Sequence, residues 1–160
     1  MMRMGIGYDS HRFAPGGPMR LGGIDVPDDR HCEGHSDGDA ICHAITDALL
    51  GAGALGDIGA LFPDTEPANK GKDSIDMLAA AVAHVHAAGW RVGNVDVTVV
   101  AERPRIGPHR DAMRDRLAAT LQVSRDDVFV KGKTNERLGW IGRGEGLGVR
   151  AVATLVRSDD

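Results

Sequence analysis

Residues 92–101 have the sequence Val-Gly-Asn-Val-Asp-Val-Thr-Val-Val-Ala, which is the strongest strand pattern in the chain. Val95, Val97 and Val99 alternate with polar residues. Because successive side chains of a strand point to opposite faces of a sheet, this alternation predicts a strand with one buried face. Aromatic residues make up only 4% of the chain, so we expect Val, Ile, Leu and Ala to build the core on that face.

The rest of the chain predicts an α+β arrangement around this strand. The other predicted elements, in chain order, are a strand over 4–8 ended by Asp9 and Ser10, a hairpin of 19–21 and 24–26 around Gly22-Gly23, a helix from Ser36 to Gly51, a short helix within 55–62, a polar loop over 65–72, a helix over 74–88, a rigid loop over 103–108, a helix over 110–121, a strand over 128–133, a glycine-rich loop over 134–146 and a strand over 147–156. The helices are few, so we expect a two-layer α/β sandwich, with a mixed sheet and helices on one face.

Composition bounds the class of protein. The chain has 160 residues, 42% hydrophobic and 26% charged, which is ordinary for one globular domain spanning 1–160. A formal net charge of −4 argues against a nucleic-acid partner. The N-terminus has no apolar leader, and no apolar run approaches the ~20 residues that span a bilayer. We therefore expect a cytoplasmic protein without a membrane partner, and Cys32 and Cys42 as buried, reduced thiols.

Three side chains form a candidate metal site. Asp9 and His11 are two residues apart near a strand end, where such residues point the same way. On the first predicted helix, His43 lies opposite the apolar stripe and has Asp39 and Asp47 at i±4. A carboxylate beside a ligating His would fix its tautomer. Two His and one carboxylate with an open position make a catalytic zinc set, although a chance surface pair or a solvated helix face would give the same spacing.

Other polar segments could bind anions or hydroxyl groups. His35 and Ser36 stand at the predicted start of the first helix, whose free N–H groups favour phosphate, although Ser36 could be only a cap. The segment 131–136, Lys-Gly-Lys-Thr-Asn-Glu, could hold a diphosphate with a divalent cation. Carboxylates in 56–59 and 62–65 could accept hydrogen bonds from a sugar, or those stretches could be plain loops.

Glycines and histidines elsewhere carry weaker signals. The segment 140–146, Trp-Ile-Gly-Arg-Gly-Glu-Gly, has the spacing of neither a P-loop nor a dinucleotide-binding loop and could simply be a tight turn. His31, His84, His86 and His109 have no role that the sequence indicates.

Seven segments occur together and in order: Gly7-Tyr8-Asp9-Ser10-His11, His35-Ser36-Asp37-Gly38-Asp39, Thr46-Asp47-Ala48-Leu49-Leu50-Gly51, Leu55-Gly56-Asp57-Ile58-Gly59, Leu61-Phe62-Pro63-Asp64-Thr65, Gly93-Asn94-Val95-Asp96-Val97-Thr98 and Gly142-Arg143-Gly144-Glu145-Gly146. Through them the chain resembles the 2-C-methyl-D-erythritol 2,4-cyclodiphosphate synthase family along nearly its whole length. Each segment is modest by itself, but their combination is specific.

The resemblance implies a phosphorus–oxygen lyase of the methylerythritol phosphate route to isoprenoid precursors. Its substrate would be 4-diphosphocytidyl-2-C-methyl-D-erythritol 2-phosphate, whose 2-phosphate attacks the β-phosphorus to give the cyclic diphosphate and CMP. The resemblance implies one Zn²⁺ per active site on Asp9, His11 and His43, and Mg²⁺ or Mn²⁺ on Glu136.

The resemblance also implies roles for individual positions. His35 and Thr134 match positions that support the transition state, and the segment from Ala101 to Gly107 matches a cytosine pocket. The residues implied to contact substrate or isoprenoid ligand are Asp9, Ser10, His11, His35, Ser36, Asp57, Ile58, Gly59, Phe62, Pro63, Asp64, Thr65, Glu66, Ala101, Arg105, Ile106, Gly107, Lys133, Thr134, Asn135, Glu136, Trp140 and Arg143.

The resemblance implies a homotrimer with active sites between subunits. Arg143, with Trp140 nearby, matches an axial cavity that binds isoprenoid diphosphates in some members. Four positions depart from the common pattern: Glu66, Arg105, Gly132 and Lys133. Two other interpretations stay open, a metal-dependent nucleotide-diphosphate hydrolase and a trimeric isoprenoid-binding module without turnover.

Overall fold

The computed structural model describes residues 1–158. Its strands and helices, in chain order, are β1 Met2–Pro15, β2 Met19–Leu21, β3 Ile24–Val26, β4 Arg30–Cys32, α1 Ala40–Gly53, α2 Ile58–Leu61, α3 Ser74–Ala87, β5 Trp90–Val100, α4 Arg110–Leu121, β6 Val128–Lys133, α5 Gly139–Gly142 and β7 Gly146–Arg157. Short 3₁₀ turns lie at Pro67–Asn69, Gly107–His109 and Arg125–Asp127.

Five strands form one mixed sheet in the order β4-β1-β7-β5-β6. β5 and β6 run parallel, whereas β1 is antiparallel to β4 and β7, and β5 is antiparallel to β7. The hairpin of β2 and β3 forms a separate two-stranded sheet, turned by Gly22 and Gly23 with φ of 63° and 76°. The predicted mixed sheet and the predicted hairpin are both confirmed.

Two glycines of β1 let α1 lie directly on the sheet. A Cβ at Gly5 would stand 2.1 Å from the carbonyl oxygen of Ala48, and a Cβ at Gly7 would stand 1.8 Å from that of Ala44. Contact this close is open only to glycine, so β1 and α1 are fixed against each other. The alternate residues of β1 point to the other side of the sheet and are exposed: Met2, Met4, Ile6 and Tyr8.

The three longest helices pack on the face of the sheet where Gly5 and Gly7 lie. α1 packs on β1 and β7, α3 packs on α1 and β5, and α4 packs on β6 and α3. The core between the two layers consists of valines of β5 and small or branched aliphatic residues of β7 against leucines and isoleucines of the helices, as the low aromatic content predicts. This arrangement confirms the predicted two layers.

Several element boundaries differ from the sequence predictions. β1 does not end at Tyr8, because Met2 to Arg12 pair with β7 and Phe13 to Pro15 pair with β4. These ladders, formed with distant residues, outweigh the local preference of Asp and Ser for turns. β4 and α5 were not predicted. By contrast, α4 and β6 have the predicted bounds, and α3, β5 and β7 differ by one or two residues.

The start of the first helix was predicted wrongly. α1 begins at Ala40, and its N-cap is Asp39, whose side chain accepts a hydrogen bond from the backbone N–H of Cys42. Ser36 lies four residues before the helix and is not its cap. A carboxylate can accept hydrogen bonds from several N–H groups at once, and Asp39 also accepts those of Gly22 and Gly23. Asp39 therefore occupies the N-cap position that was predicted for Ser36.

Both thiols are buried and free, as predicted. Burial raises the pKa of Cys32 to about 12 and raises that of Cys42 well above its usual value. Both groups therefore stay protonated at neutral pH and are poor nucleophiles. Within residues 1–158, no helix combines the length and the apolar character that crossing a bilayer requires.

Candidate active site

Asp9, His11 and His43 meet at the edge of the helical layer. Asp9 and His11 lie on the same face of β1, as their spacing predicts, and His43 reaches them from the first turn of α1. The Oδ2 atom of Asp9 is 2.8 Å from Nε2 of His11 and 3.1 Å from Nδ1 of His43, and the two nitrogens are 3.4 Å apart. The close packing of α1 on the glycines of β1 is what brings the helix within this distance.

These separations fit a divalent metal ion. Tetrahedral bonds of about 2.0–2.1 Å place neighbouring ligand atoms about 3.3–3.4 Å apart. The three atoms observed here lie at or slightly inside that spacing, and all lie within 4.8 Å of one another. The three residues are only half-buried. A four-coordinate ion held by three protein atoms would keep its fourth position for substrate oxygen or water. The predicted triad is therefore brought together as a candidate metal site.

The two imidazoles turn different nitrogens toward the centre. Nδ1 of His11 is 2.8 Å from the carbonyl oxygen of Glu33, and a carbonyl only accepts. In the neutral ring, Nδ1 therefore carries the proton and Nε2 has the free lone pair. His43 instead turns Nδ1 inward. Its Nε2 is 2.8 Å from Oγ of Ser74 and 3.0 Å from Oγ of Ser36.

The prediction that Asp39 or Asp47 lies beside the ring of His43 is wrong. Asp39 is fully buried, and its oxygens accept backbone N–H groups of the β2–β3 turn and of α1. Asp47 accepts the N–H of Ile58 at 2.7 Å. Residues at i±4 spacing lie on the same face of a helix, but Asp39 and Asp47 both accept hydrogen bonds from backbone N–H groups that have no other partner within residues 1–158. Hydroxyl groups, one of them on Ser74 far along the chain, take their place beside His43.

The carboxylate of Asp9 and the imidazole of His11 change each other's pKa. Burial alone would raise the pKa of Asp9, but its hydrogen bonds to His11 and His43 outweigh burial and lower that pKa below its usual value. Burial alone would lower the pKa of His11, but its hydrogen bond to Asp9 and the negative charge of that carboxylate raise it. A bound cation would replace the proton that Asp9 favours on His11, because a ligating nitrogen must be free of its proton.

A cleft of about 430 Å³ lies at the C-terminal ends of β5 and β6. Ala101 and Ile106 are buried in its floor, whereas Arg105 and Lys133 are exposed at its rim. The cleft brings together the segment predicted to bind cytosine and the start of the segment predicted to bind phosphate. Its predicted members are Ala101, Arg105, Ile106, Gly107, Lys133 and Thr134.

A larger cleft of about 900 Å³ runs beside the metal centre. Ser10 and His11 line one side, and Trp140 and Arg143 line the other. Arg143 forms an ion pair with Glu145 at 2.9 Å, so its charge is partly neutralised within its own loop. The predicted isoprenoid residues therefore line the same cleft as His11 and not the cleft of β5 and β6.

The remaining predicted residues lie outside both clefts. Asp57 caps α2 by accepting the N–H of Ala60, and Glu136 accepts a hydrogen bond from Thr134 at 3.3 Å. The residues that line neither cleft are His35, Ser36, Asp57, Ile58, Gly59, Phe62, Pro63, Asp64, Thr65, Glu66, Asn135 and Glu136. Among residues 1–158, the structure thus brings the three metal ligands together and places the hydroxyl of Ser36 3.0 Å from Nε2 of His43.

The fold and this site define an α+β enzyme with a candidate site for a divalent metal. The mixed sheet, the half-buried triad and the adjacent clefts are the features that such an enzyme needs: a scaffold, an ion and room for a ligand.

Comparison with known proteins gives the family. The chain belongs to the YgbB family, whose sequence profile matches residues 2–156. It is 74% identical over 156 residues to the 2-C-methyl-D-erythritol 2,4-cyclodiphosphate synthase of Gemmatimonas aurantiaca, covering 98% of this chain and 94% of that protein. It is 54% identical over 158 residues to the synthase of Chromobacterium violaceum, covering 99% of this chain and 100% of that one.

A solved structure shares the fold. A 2-C-methyl-D-erythritol 2,4-cyclodiphosphate synthase described in its CDP-bound form superposes with a TM-score of 0.89 at 40% identity, covering 96% of this chain and 100% of that one. The resemblance predicted from the sequence is confirmed by these relatives, which are enzymes of the methylerythritol phosphate route.

Proposed function

We propose that this chain converts 4-diphosphocytidyl-2-C-methyl-D-erythritol 2-phosphate to 2-C-methyl-D-erythritol 2,4-cyclodiphosphate and CMP. The observation that carries the proposal is 74% identity to a synthase of that name over 98% of the chain. An oxygen of the 2-phosphate forms a bond to the β-phosphorus, the bond from that phosphorus to the bridging oxygen breaks, and CMP leaves with the electron pair. The reaction is that of a phosphorus–oxygen lyase.

The nucleophile needs no general base. A phosphate monoester has a second pKa of about 6, so it is already ionised at neutral pH. The barrier comes from bringing anions together, and catalysis is positioning plus neutralisation of charge. Asp9, His11 and His43 would hold Zn²⁺, which supplies positive charge to a phosphoryl oxygen when bound. Their geometry supports this assignment, since three ligand atoms converge within 4.8 Å of one another.

The cleft of β5 and β6 is the proposed cytidine site. Backbone groups from Ala101 to Gly107 would contact the base, and Lys133 would place a cation near the diphosphate. Glu136 would hold Mg²⁺ or Mn²⁺ next to Thr134, which with His35 would support the transition state. The methylerythritol contacts would come from Asp57, Gly59 and Asp64. Ser10 and Ser36 lie beside the metal ligands.

We also propose a homotrimer with the active site between subunits. Two observations support this. The metal ligands line no part of the cleft of β5 and β6, so one chain does not surround a substrate that touches both. The face of the sheet away from the helices exposes apolar side chains that assembly would cover: Met2, Met4, Ile6, Tyr8, Phe129 and Val152. Trp140 and Arg143 could then receive an isoprenoid diphosphate at the axis.

Phosphorus NMR of the substrate with purified protein and Mg²⁺ tests the function, with the His43→Ala variant as control. We expect CMP and a cyclic diphosphate from the unaltered protein and neither from the variant. CMP with an open-chain phosphate would identify a hydrolase. An unchanged substrate would refute turnover and favour the binding module.

A further inference from the structure

A buried polar chain reaches His43 from the side opposite the metal centre. Ser74 is fully buried at the start of α3, and its Oγ lies 2.8 Å from Nε2 of His43. The side chain of Asp37 accepts two hydrogen bonds from Ser74: Oδ2 accepts the backbone N–H at 3.0 Å, and Oδ1 accepts the hydroxyl. Three groups from three separate segments therefore form one continuous hydrogen-bonded chain, Asp37–Ser74–His43.

The chemistry of these groups fixes the direction of each hydrogen bond. An ionised carboxylate only accepts, so the hydroxyl proton of Ser74 points to Asp37. The lone pairs of Oγ are then left for His43, and Nε2 must carry a proton to donate to them. With its proton on Nε2, the neutral ring has its free lone pair on Nδ1, which faces Asp9 and His11.

We propose that Asp37 and Ser74 are positioning residues that hold His43 with its proton on Nε2 and so keep Nδ1 as a metal ligand. This proposal rests on the proposed metal centre. In other proteins, a carboxylate often hydrogen-bonds directly to a metal-ligating histidine and orients it. Here Asp37 and Ser74 would have that function together, with the serine hydroxyl between the carboxylate and the ring.

Asp37 is itself well fixed, which makes the chain an effective support. Its Oδ1 also accepts the backbone N–H of Asp39 at 3.1 Å, and the guanidinium of Arg20 lies 3.9 Å from its Oδ2. Ser36 is the alternative partner of His43, at 3.0 Å, but no carboxylate within residues 1–158 orients its hydroxyl. Ser74 is therefore the hydroxyl whose direction is set before the metal binds.

Metal titration of the apoprotein tests the proposal directly. We expect Ser74→Ala and Asp37→Asn to weaken binding of Co²⁺ and Zn²⁺ about 10- to 100-fold. In Asp37→Asn the amide can accept from the N–H of Ser74 only by turning its own NH₂ toward Oγ, which reverses the bond to His43. The matched control is Asp73→Ala, which removes the N-cap of the same helix and should lower thermal stability without changing metal affinity.

A second measurement is independent of affinity. In the Zn²⁺-saturated protein, we expect nitrogen–proton NMR to show a ring N–H of His43 protected from exchange, and we expect its exchange to accelerate in Ser74→Ala. The proposal is overturned if Ser74→Ala binds metal as tightly as the unaltered protein, if Asp73→Ala loses as much affinity, or if no protected ring proton exists. An unaltered protein that binds neither ion would refute the metal centre and this proposal with it.

Discussion

The metal centre and the cleft of β5 and β6 differ in how far one chain completes them. Asp9 and His11 lie on a strand that pairs with β7 at both residues, and His43 lies on a helix packed against that strand. The cleft instead has Arg105 and Lys133 exposed at its rim, on segments outside or at the ends of the strands. From this difference we expect that a single chain can bind the metal ion, whereas turnover needs the further surfaces of the proposed trimer. The two properties should therefore be separable by mutation.

The largest expected effect is the loss of the metal ligand in His43→Ala. Activity should fall roughly 1,000-fold or more, which corresponds to about 4 kcal/mol of transition-state stabilisation. Metal analysis and CMP release measure the two consequences. The control His84→Ala changes an exposed histidine of α3 and should keep both properties. A His43→Ala protein with full zinc content would contradict the assignment.

Ile6→Glu should separate activity from metal binding. It places a charge on the open face of the sheet, and a charge buried at a subunit interface without a partner costs several kcal/mol. We expect a monomer with activity reduced roughly 100-fold and with zinc affinity unchanged. Ile6→Val keeps the face apolar and should behave like the unaltered protein. Sedimentation, zinc titration and CMP release are the measurements, and an active, trimeric Ile6→Glu protein would refute the proposed interface.

Gly7→Ala should damage the metal centre without touching a ligand. The new Cβ would stand 1.8 Å from the carbonyl oxygen of Ala44, so α1 must move away from β1 and carry His43 with it. We expect a loss of about 3 kcal/mol in the free energy of unfolding, together with weaker metal binding. Gly51→Ala is the control, because its Cβ would meet no atom within 4 Å. Denaturant unfolding compares the two, and equal stabilities would show that the layers are not fixed by Gly7.

Lys133→Ala should have the smallest effect and should be confined to the cleft. Removal of one exposed cation from a diphosphate site should raise KM about 5- to 10-fold, with zinc content unchanged. Arg91→Ala removes a cation at the opposite end of β5 and should leave KM unaltered. If Lys133→Ala changes neither turnover nor KM, Lys133 does not contact the substrate.

Local patterns predicted the elements that local interactions decide. The bounds of α4 and β6 follow from helical and alternating periodicity, and the convergence of Asp9 and His11 follows from the period of a strand. The hairpin follows from two adjacent glycines that permit positive φ. These features could be predicted because each depends on residues that are neighbours in sequence.

Features that depend on distant residues could not be predicted in this way. β1 extends to Pro15 because β7 and β4, from elsewhere in the chain, pair with it. Asp39 turns away from His43 because the N–H groups of Gly22 and Gly23 need an acceptor. Ser74 was predicted only as a helix start, since nothing in the local sequence places it beside an imidazole of another helix.

His11 and His43 point different ring nitrogens at the candidate metal site. Nε2 of His11 lies one bond farther from its backbone than Nδ1 of His43 does from its own. An amide side chain can imitate either reach, but glutamine matches the longer one and asparagine the shorter. A redesign that replaces imidazole nitrogen with a neutral oxygen donor therefore requires His11→Gln and His43→Asn, and the reverse choice leaves one ligand too short and the other too long.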